Sequence, residues 1–266
     1  MARLGGGTTQ REFAQALLVG GLAGFLSGLF GIGGGILIVP GLVLLAHMRQ
    51  RLAHGTSLAA IIPIATAGVV GYLLDDKVDG AAALCIASGA MFGAVVGTKA
   101  LQVLPQRVLR LAFAALLLAT AVRLLVDEGA PPGRGDLDAA MVAGFVVLGL
   151  VSGVLSGLLG VGGGIIMVPA LVLAFDMPTV IAKGTSLLVI IPTSIVGTWR
   201  NVRNDNARID LAVTIGGAGI VTAFLGALVA IAISDNTSTI LFGLLLVFSA
   251  ARLLWTDYQE RRPAAP

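Results

Sequence analysis

A ten-residue stretch occurs twice in this chain, and that repetition constrains the fold more than any other feature. Gly31-Ile32-Gly33-Gly34-Gly35-Ile36-Leu37-Ile38-Val39-Pro40 returns 129 positions later as Gly160-Val161-Gly162-Gly163-Gly164-Ile165-Ile166-Met167-Val168-Pro169. The same offset pairs Gly24 with Gly153, Ser27 with Ser156, and Gly55-Thr56-Ser57 with Gly184-Thr185-Ser186. It also pairs Pro63 with Pro192, Gly97 with Gly226, Phe113 with Phe242 and Arg123 with Arg252. Chance does not hold a register over that distance. The chain is an internal duplication, and its halves are expected to share one fold.

Composition places both halves in a bilayer. Of 266 residues, 57% are hydrophobic and 12% charged, about half the roughly 25% of charged residues in a soluble domain. Such a chain cannot cover itself with a water-facing surface. The net charge of +3 does not point to nucleic acid, because the basic residues sit in short loops between apolar runs. The preference for positive charge on the inner side of a membrane explains that placement. The single cysteine, Cys85, lies in an apolar run; it excludes a disulfide framework or thiolate metal site and is expected to be a small buried residue. The first apolar run follows Arg3 and Arg11 as a signal peptide would, but its counterpart at 138–159 lies mid-chain. Both are expected to be retained.

Each half contains five apolar segments: 13–30, 35–47, 55–74, 80–101 and 108–126, then 138–159, 164–175, 184–199, 210–233 and 239–255. A polar linker rich in glycine and proline, 129–136, divides a first repeat (1–128) from a second (137–266). The second segment of each half is too short to cross, since a helical span needs about 20 residues. Read with the run before it, it makes a hairpin with an unwound glycine tip, followed by three ordinary crossings. The predicted fold is therefore an all-α polytopic membrane protein built from two inverted repeats. With the N-terminus inside, 13 of the 17 basic residues fall inside, and only Lys77, Arg123, Arg134 and Lys183 fall outside. Both termini are then expected in the cytoplasm. If the first segment crosses instead, one arginine-rich loop lands outside in either orientation.

The glycine tips are the leading candidate site. Irregular backbone at membrane depth is tolerated only where it is buried in protein or lines a cavity. The short helix after each tip presents unpaired N–H groups and a partial positive charge, which suit an anion. Gly33, Gly34 and Gly35, with Gly162, Gly163 and Gly164, are thus candidate substrate-binding residues. The alternative is that they only let helices pack closely. The run lacks the spacing and the preceding strand of a nucleotide-binding loop.

Thr56, Ser57, Thr185 and Ser186 are read as opening helices, where their hydroxyls either cap the backbone or donate to a substrate oxygen. Pro63 and Pro192 interrupt those helices and are candidate hinges. His54 and Lys183, just ahead, are expected to be solvated loop charges. Arg123 and Arg252 are read as snorkelling anchors, and Trp199 and Trp255 as interfacial anchors.

The two glycine–proline stretches and the two Gly-Thr-Ser stretches resemble the TauE/SafE sulfite-exporter family of membrane permeases, and the resemblance covers nearly the whole chain. It implies a transporter of sulfite, sulfonates or related small anions in the bacterial cytoplasmic membrane. Only the resemblance supplies sulfur. No Asp or Glu lies well inside a segment and no nucleotide motif is present, so the expected mechanism is electrogenic alternating access without proton or ATP coupling. Export is favoured by an inside-negative potential; an anion importer and an ion channel remain alternatives. Histidine occurs only at His47 and His54, leaving no constellation for an intramembrane enzyme, and no cofactor or metal is expected. The expected partners are a small anionic substrate and the lipid bilayer.

Overall fold

The structure is a computed structural model that describes residues 10–100, 114, 115, 117–119, 121, 122, 137–160 and 162–261. Its helices are α1 (Gln10–Phe30), α2 (Gly35–Leu44), α3 (Gln50–Leu73), α4 (Gly80–Ala100), α5 (Ala139–Leu159), α6 (Gly164–Ala174), α7 (Thr179–Arg203), α8 (Ile209–Ala232) and α9 (Asp235–Arg261). No strand occurs among the described residues. The linker 129–136, most of the segment at 108–126, and Arg123 lie outside them, as does the side chain of Arg252.

Among the described residues, five helices are long and apolar enough to cross a bilayer: those at 12–30, 51–73, 139–157, 179–203 and 209–232. Outward faces of these and of the neighbouring helices are apolar, with Leu18, Leu84, Phe92, Val213 and Phe248 all exposed. Water would not tolerate such a surface, whereas lipid requires it. The chain is an all-α polytopic membrane protein.

Small residues set which helices touch. A Cβ added at Gly20, Gly24 or Gly28 of α1 would overlap backbone carbonyl oxygens of Ile215, Gly219 and Ala223 on α8. These contacts advance together along both helices, so α1 and α8 run in the same direction. The matching set lies between α5 and α4, where Gly149 and Gly153 abut the Ile86 and Ala90 carbonyls and Gly89 and Gly93 abut those of Val146 and Leu150. Close approach of this kind replaces the hydrophobic force that lipid cannot supply.

Helix α3 runs along α8, with Gly216 against Ala60 and Pro63, and Gly71 against Ala227. Against its own counterpart α7 it runs the opposite way: Gly55 meets Asn201, Leu58 meets Gly197, Gly68 meets Leu187, and Tyr72 meets Gly184. Helices α1, α3 and α8 therefore point one way and α4, α5 and α7 the other. Helix α2 folds back on α1, since Gly34 lies against Ala23 and Gly41 against Val19. Arg208, just ahead of α8, pairs with Asp210 at 2.5 Å and reaches Glu12 in the first turn of α1 at 3.9 Å. That joins the starts of two parallel helices at one face.

Two expectations are corrected by the helix starts. Helices α3 and α7 begin at Gln50 and Thr179, after Arg49 and Pro178, not at Gly55 and Gly184. Proline fixes the extended turn before α7, and the helix takes in the residues read as loop. His54 and Lys183 are consequently helical. Cys85 is only partly buried. Trp199 and Trp255 are 55% and 62% exposed, as interfacial residues require.

The glycine stripe separates two kinds of position on one helix. Nothing lies within 4 Å of a Cβ added at Gly21, so Gly21→Ala should leave stability unchanged or raise it by up to about 1 kcal/mol through helix propensity. Gly28→Ala should lower it by about 1–3 kcal/mol through overpacking. Thermal unfolding of the two purified variants checks the contrast.

Candidate functional site

Each hairpin turns through residues that only glycine adopts cheaply. Gly31, Gly33 and Gly34 have φ of 70°, 79° and 74°, and Gly160, Gly162 and Gly163 have 63°, 80° and 81°. A residue with a Cβ costs about 1–2 kcal/mol in that region. Gly34 and Gly163 are the N-caps of α2 and α6. Their carbonyls accept the Leu37 and Ile38, and the Ile166 and Met167, N–H groups at 3.0–3.2 Å. The N–H groups of Gly35 and Ile36, and of Gly164 and Ile165, find no acceptor among the described residues. They are the first-turn donors that a helix N-terminus leaves open.

The two tips meet. A Cβ added at Gly164 would lie 2.8 Å from the Gly31 carbonyl oxygen and 2.9 Å from the Ile32 Cα. Each tip is held by the opposite half through a matched hydrogen bond. The Ser57 hydroxyl donates to the Gly160 carbonyl at 2.9 Å, and Ser186 donates to Gly31 at 2.8 Å. The threonines beside them are matched in turn. Thr56 accepts the Arg208 N–H and Thr185 accepts the Asp79 N–H, both at 2.9 Å. All four hydroxyls are buried and lie inside their helices, so none caps its own helix. They anchor irregular backbone in the other half.

Two residues that sequence reasoning did not select complete the picture. Ser27 and Ser156 are 0% and 1% exposed, and neither hydroxyl has a partner. A buried hydroxyl left unpaired costs about 1–3 kcal/mol. Each lies one turn before a tip, its carbonyl accepting the Gly31 or Gly160 N–H at 2.8 and 3.0 Å. The Ser156 Cβ lies 3.4 Å from a Cβ added at Gly163. The usable signal was a hydroxyl at matched positions inside otherwise apolar runs. The polar groups gathered at the tips are thus uncharged: backbone N–H and carbonyl groups and serine hydroxyls. No group of His, Cys, Asp and Glu able to hold a metal exists among the described residues.

The family model described as "Sulfite exporter TauE/SafE" matches residues 2–124 and 145–266, one match to each half. The chain belongs to the TauE/SafE family. A "Probable membrane transporter protein" of Xylella fastidiosa is 29% identical over 253 residues, covering 92% of this chain and 97% of its own length. The "Probable membrane transporter protein YunE" of Bacillus subtilis is 24% identical over 267 residues, covering 92% and 98%. A third relative under the same description, from Methanocaldococcus jannaschii, is 28% identical over 187 residues, 68% of this chain and 69% of its own. No solved structure matches. As a TauE/SafE protein the chain is a membrane transporter, and the paired tips fall in the parts of both halves that the family model spans.

Lys183 departs from its expected solvated position. It is fully buried, the only charged side chain so placed among the described residues. Its Nζ donates to the Ser238 hydroxyl at 2.7 Å and lies 5.7 and 5.3 Å from the Phe30 and Phe242 ring centroids. The cause is the early start of α7, which puts Lys183 beneath the first tip, with its backbone against Gly31. His54 holds the matched place against Gly160 and is half-buried. Pro63 and Pro192 lie inside continuous helices α3 and α7, where each removes one rung of the hydrogen-bond ladder.

The exchanged serine bonds make a symmetric prediction. Ser57→Ala and Ser186→Ala should each lower stability by about 1–3 kcal/mol, because each strands a buried carbonyl. Similar losses in the two variants, measured by thermal or denaturant unfolding, are the expected outcome.

Proposed function

We propose that this protein carries small sulfur oxyanions, such as sulfite or sulfonates, outward across the cell membrane by alternating access. The anion is held at the paired tips by the backbone N–H groups of Gly33–Gly35 and Gly162–Gly164, with those of Ile36 and Ile165 in the first turns of α2 and α6, and by the Ser27 and Ser156 hydroxyls. The observation that carries the reading is the set of unpartnered buried donors at two helix N-termini whose tips touch, with no carboxylate among them. Donors without acceptors suit an anion and repel nothing negative. Sulfur enters from the family's description. In this reading Thr56, Ser57, Thr185 and Ser186 act one step back, fixing the tips that bind.

The two halves are proposed to form inverted repeats, with both termini cytoplasmic. The opposed course of α3 and its counterpart α7 supports inversion, and the charge asymmetry of the loops supports the orientation. Pro63 and Pro192 sit on the two helices that clamp the tips and serve as hinges. An inside-negative potential supplies about 2.3 kcal/mol per elementary charge per 100 mV for an outgoing anion. Export of an anion therefore needs no coupled ion.

Serine variants separate this reading from a packing role. Ser27→Ala and Ser156→Ala should weaken anion binding about 5–10-fold, the loss of one hydrogen bond of about 1 kcal/mol or slightly more, while leaving thermal stability unchanged or raised. Gly34→Val or Gly163→Val should abolish binding without preventing membrane insertion. The measurement is thermal shift of purified protein with sulfite, thiosulfate, sulfoacetate, sulfate and formate against chloride. Unchanged affinity in all four variants would refute the tip site. Cysteines at positions 76 and 203 should label from opposite faces, and labelling of both from one face would refute the inversion.

A further inference from the structure

Away from the tips, the end of α7 and the neighbouring stretch of α4 form an open cleft of about 350 Å³. Val95, Trp199, Arg200, Arg203 and Asn204 line it. Arg200 donates one guanidinium N–H to the Val95 carbonyl, which leaves most of its five donors uncommitted. The Arg203 guanidinium lies over the Trp199 ring, 4.1 Å from its centroid. A stacked guanidinium uses its face, so its edge donors stay available. No carboxylate is within ion-pair distance of either arginine among the described residues.

From these observations we infer that the cleft binds the phosphate headgroup of an anionic phospholipid. Two arginines with spare, fork-shaped donors are the chemistry that recognises a phosphodiester. Their position selects a lipid over a dissolved ion. Arg200 and Arg203 lie in the last turn of an apolar span ending at Arg203, where a membrane helix meets the headgroup layer. Trp199 beside them, 55% exposed, is the side chain that favours that layer. One turn deeper, Ile195 on α7 and Phe92 on α4 are exposed at 51% and 71%. Helical spacing puts them on the same faces as Trp199 and Val95, so they offer an acyl chain exposed apolar side chains below the headgroup. The cleft volume also falls in the range of small-molecule sites. Basic pockets between membrane helices hold anionic headgroups by this combination of charge and apolar wall.

The proposal does not depend on the transported substrate, and its test uses no anion from the tip panel. The purified full chain is placed in nanodiscs of phosphatidylcholine, with or without phosphatidylglycerol, and its Tm is measured. Native mass spectrometry counts the lipid that stays bound. Phosphatidylglycerol should raise Tm and remain attached at about one molecule per chain, whereas free glycerol phosphate should do neither. Arg200→Gln with Arg203→Gln should lose both effects. Because Arg200 also holds the α4 backbone, Arg203→Gln alone gives the second test; it removes an exposed guanidinium and should weaken phosphatidylglycerol retention at least 5-fold. Equal behaviour in the two lipids, full retention by both variants, or an equal response to glycerol phosphate would each overturn the inference.

Discussion

A bilayer offers no water to an unpaired backbone group, and the fold is arranged around the two places where the helix nonetheless stops. Each tip takes carbonyls and N–H groups out of the helix ladder inside the protein, where each is costly if left bare. The carbonyl side is answered across the repeat boundary, by Ser57 at Gly160 and Ser186 at Gly31. The N–H side, at the starts of α2 and α6, is left unanswered among the described residues. That asymmetry gives the tips their chemical character. The Gly31 and Gly160 carbonyls are engaged by serine hydroxyls, while the Gly35, Ile36, Gly164 and Ile165 N–H groups have no acceptor among the described residues.

The exchange also ties each half to the other. The tip of the first half is clamped by α7, and the tip of the second by α3. Thr56 and Thr185 then tie the same two helices to the approach of α8 and α4. Glycine stripes on α1 and α5 let these helices sit against α8 and α4 at backbone distance. A bulky side chain in the stripe would push a hairpin outward and take its tip with it. Packing and site geometry are therefore one requirement, met by the same small residues.

Much of this was legible in the sequence because duplication doubles every signal. A glycine run that occurs once is weak evidence; the same run followed twice by a proline-bearing short helix is strong evidence for a broken hairpin. Nine of the ten apolar segments fall on helices, the tenth lying mostly outside the described residues, and the left-handed backbone at Gly33, Gly34, Gly162 and Gly163 is what consecutive glycines imply. Helix starts read poorly. Gly55 and Gly184 look like openings, yet a helix in lipid extends through glycine when the residues on either side are packed. Lys183 was misplaced by the same error, since a lysine beside a loop signal reads as solvated. Whether it is buried depends on Phe30 and Phe242, one far upstream and one far downstream in the chain. Ser27 and Ser156 were visible as a repeat match, but a lone serine in an apolar run has no pattern that separates a ligand from a packing residue. The structure adds that both are buried without a hydrogen-bond partner among the described residues, as is Ser194.

The neutrality of the proposed site bears on turnover. A carrier must bind its anion well enough to capture it and loosely enough to release it on the far side. A bare ammonium against the anion in a dry site would exert an attraction of order 4 kcal/mol at 4 Å even with an effective dielectric near 20. Hydroxyls and N–H groups contribute about 1 kcal/mol each, and their sum is set by how many point inward in a given conformation. The one buried cation near the tips is engaged elsewhere, with Lys183 donating to Ser238 beneath two aromatic rings. The second tip has half-buried His54 in the matched place. The duplicated tips thus have unlike neighbours, a buried lysine at one and a half-buried histidine at the other.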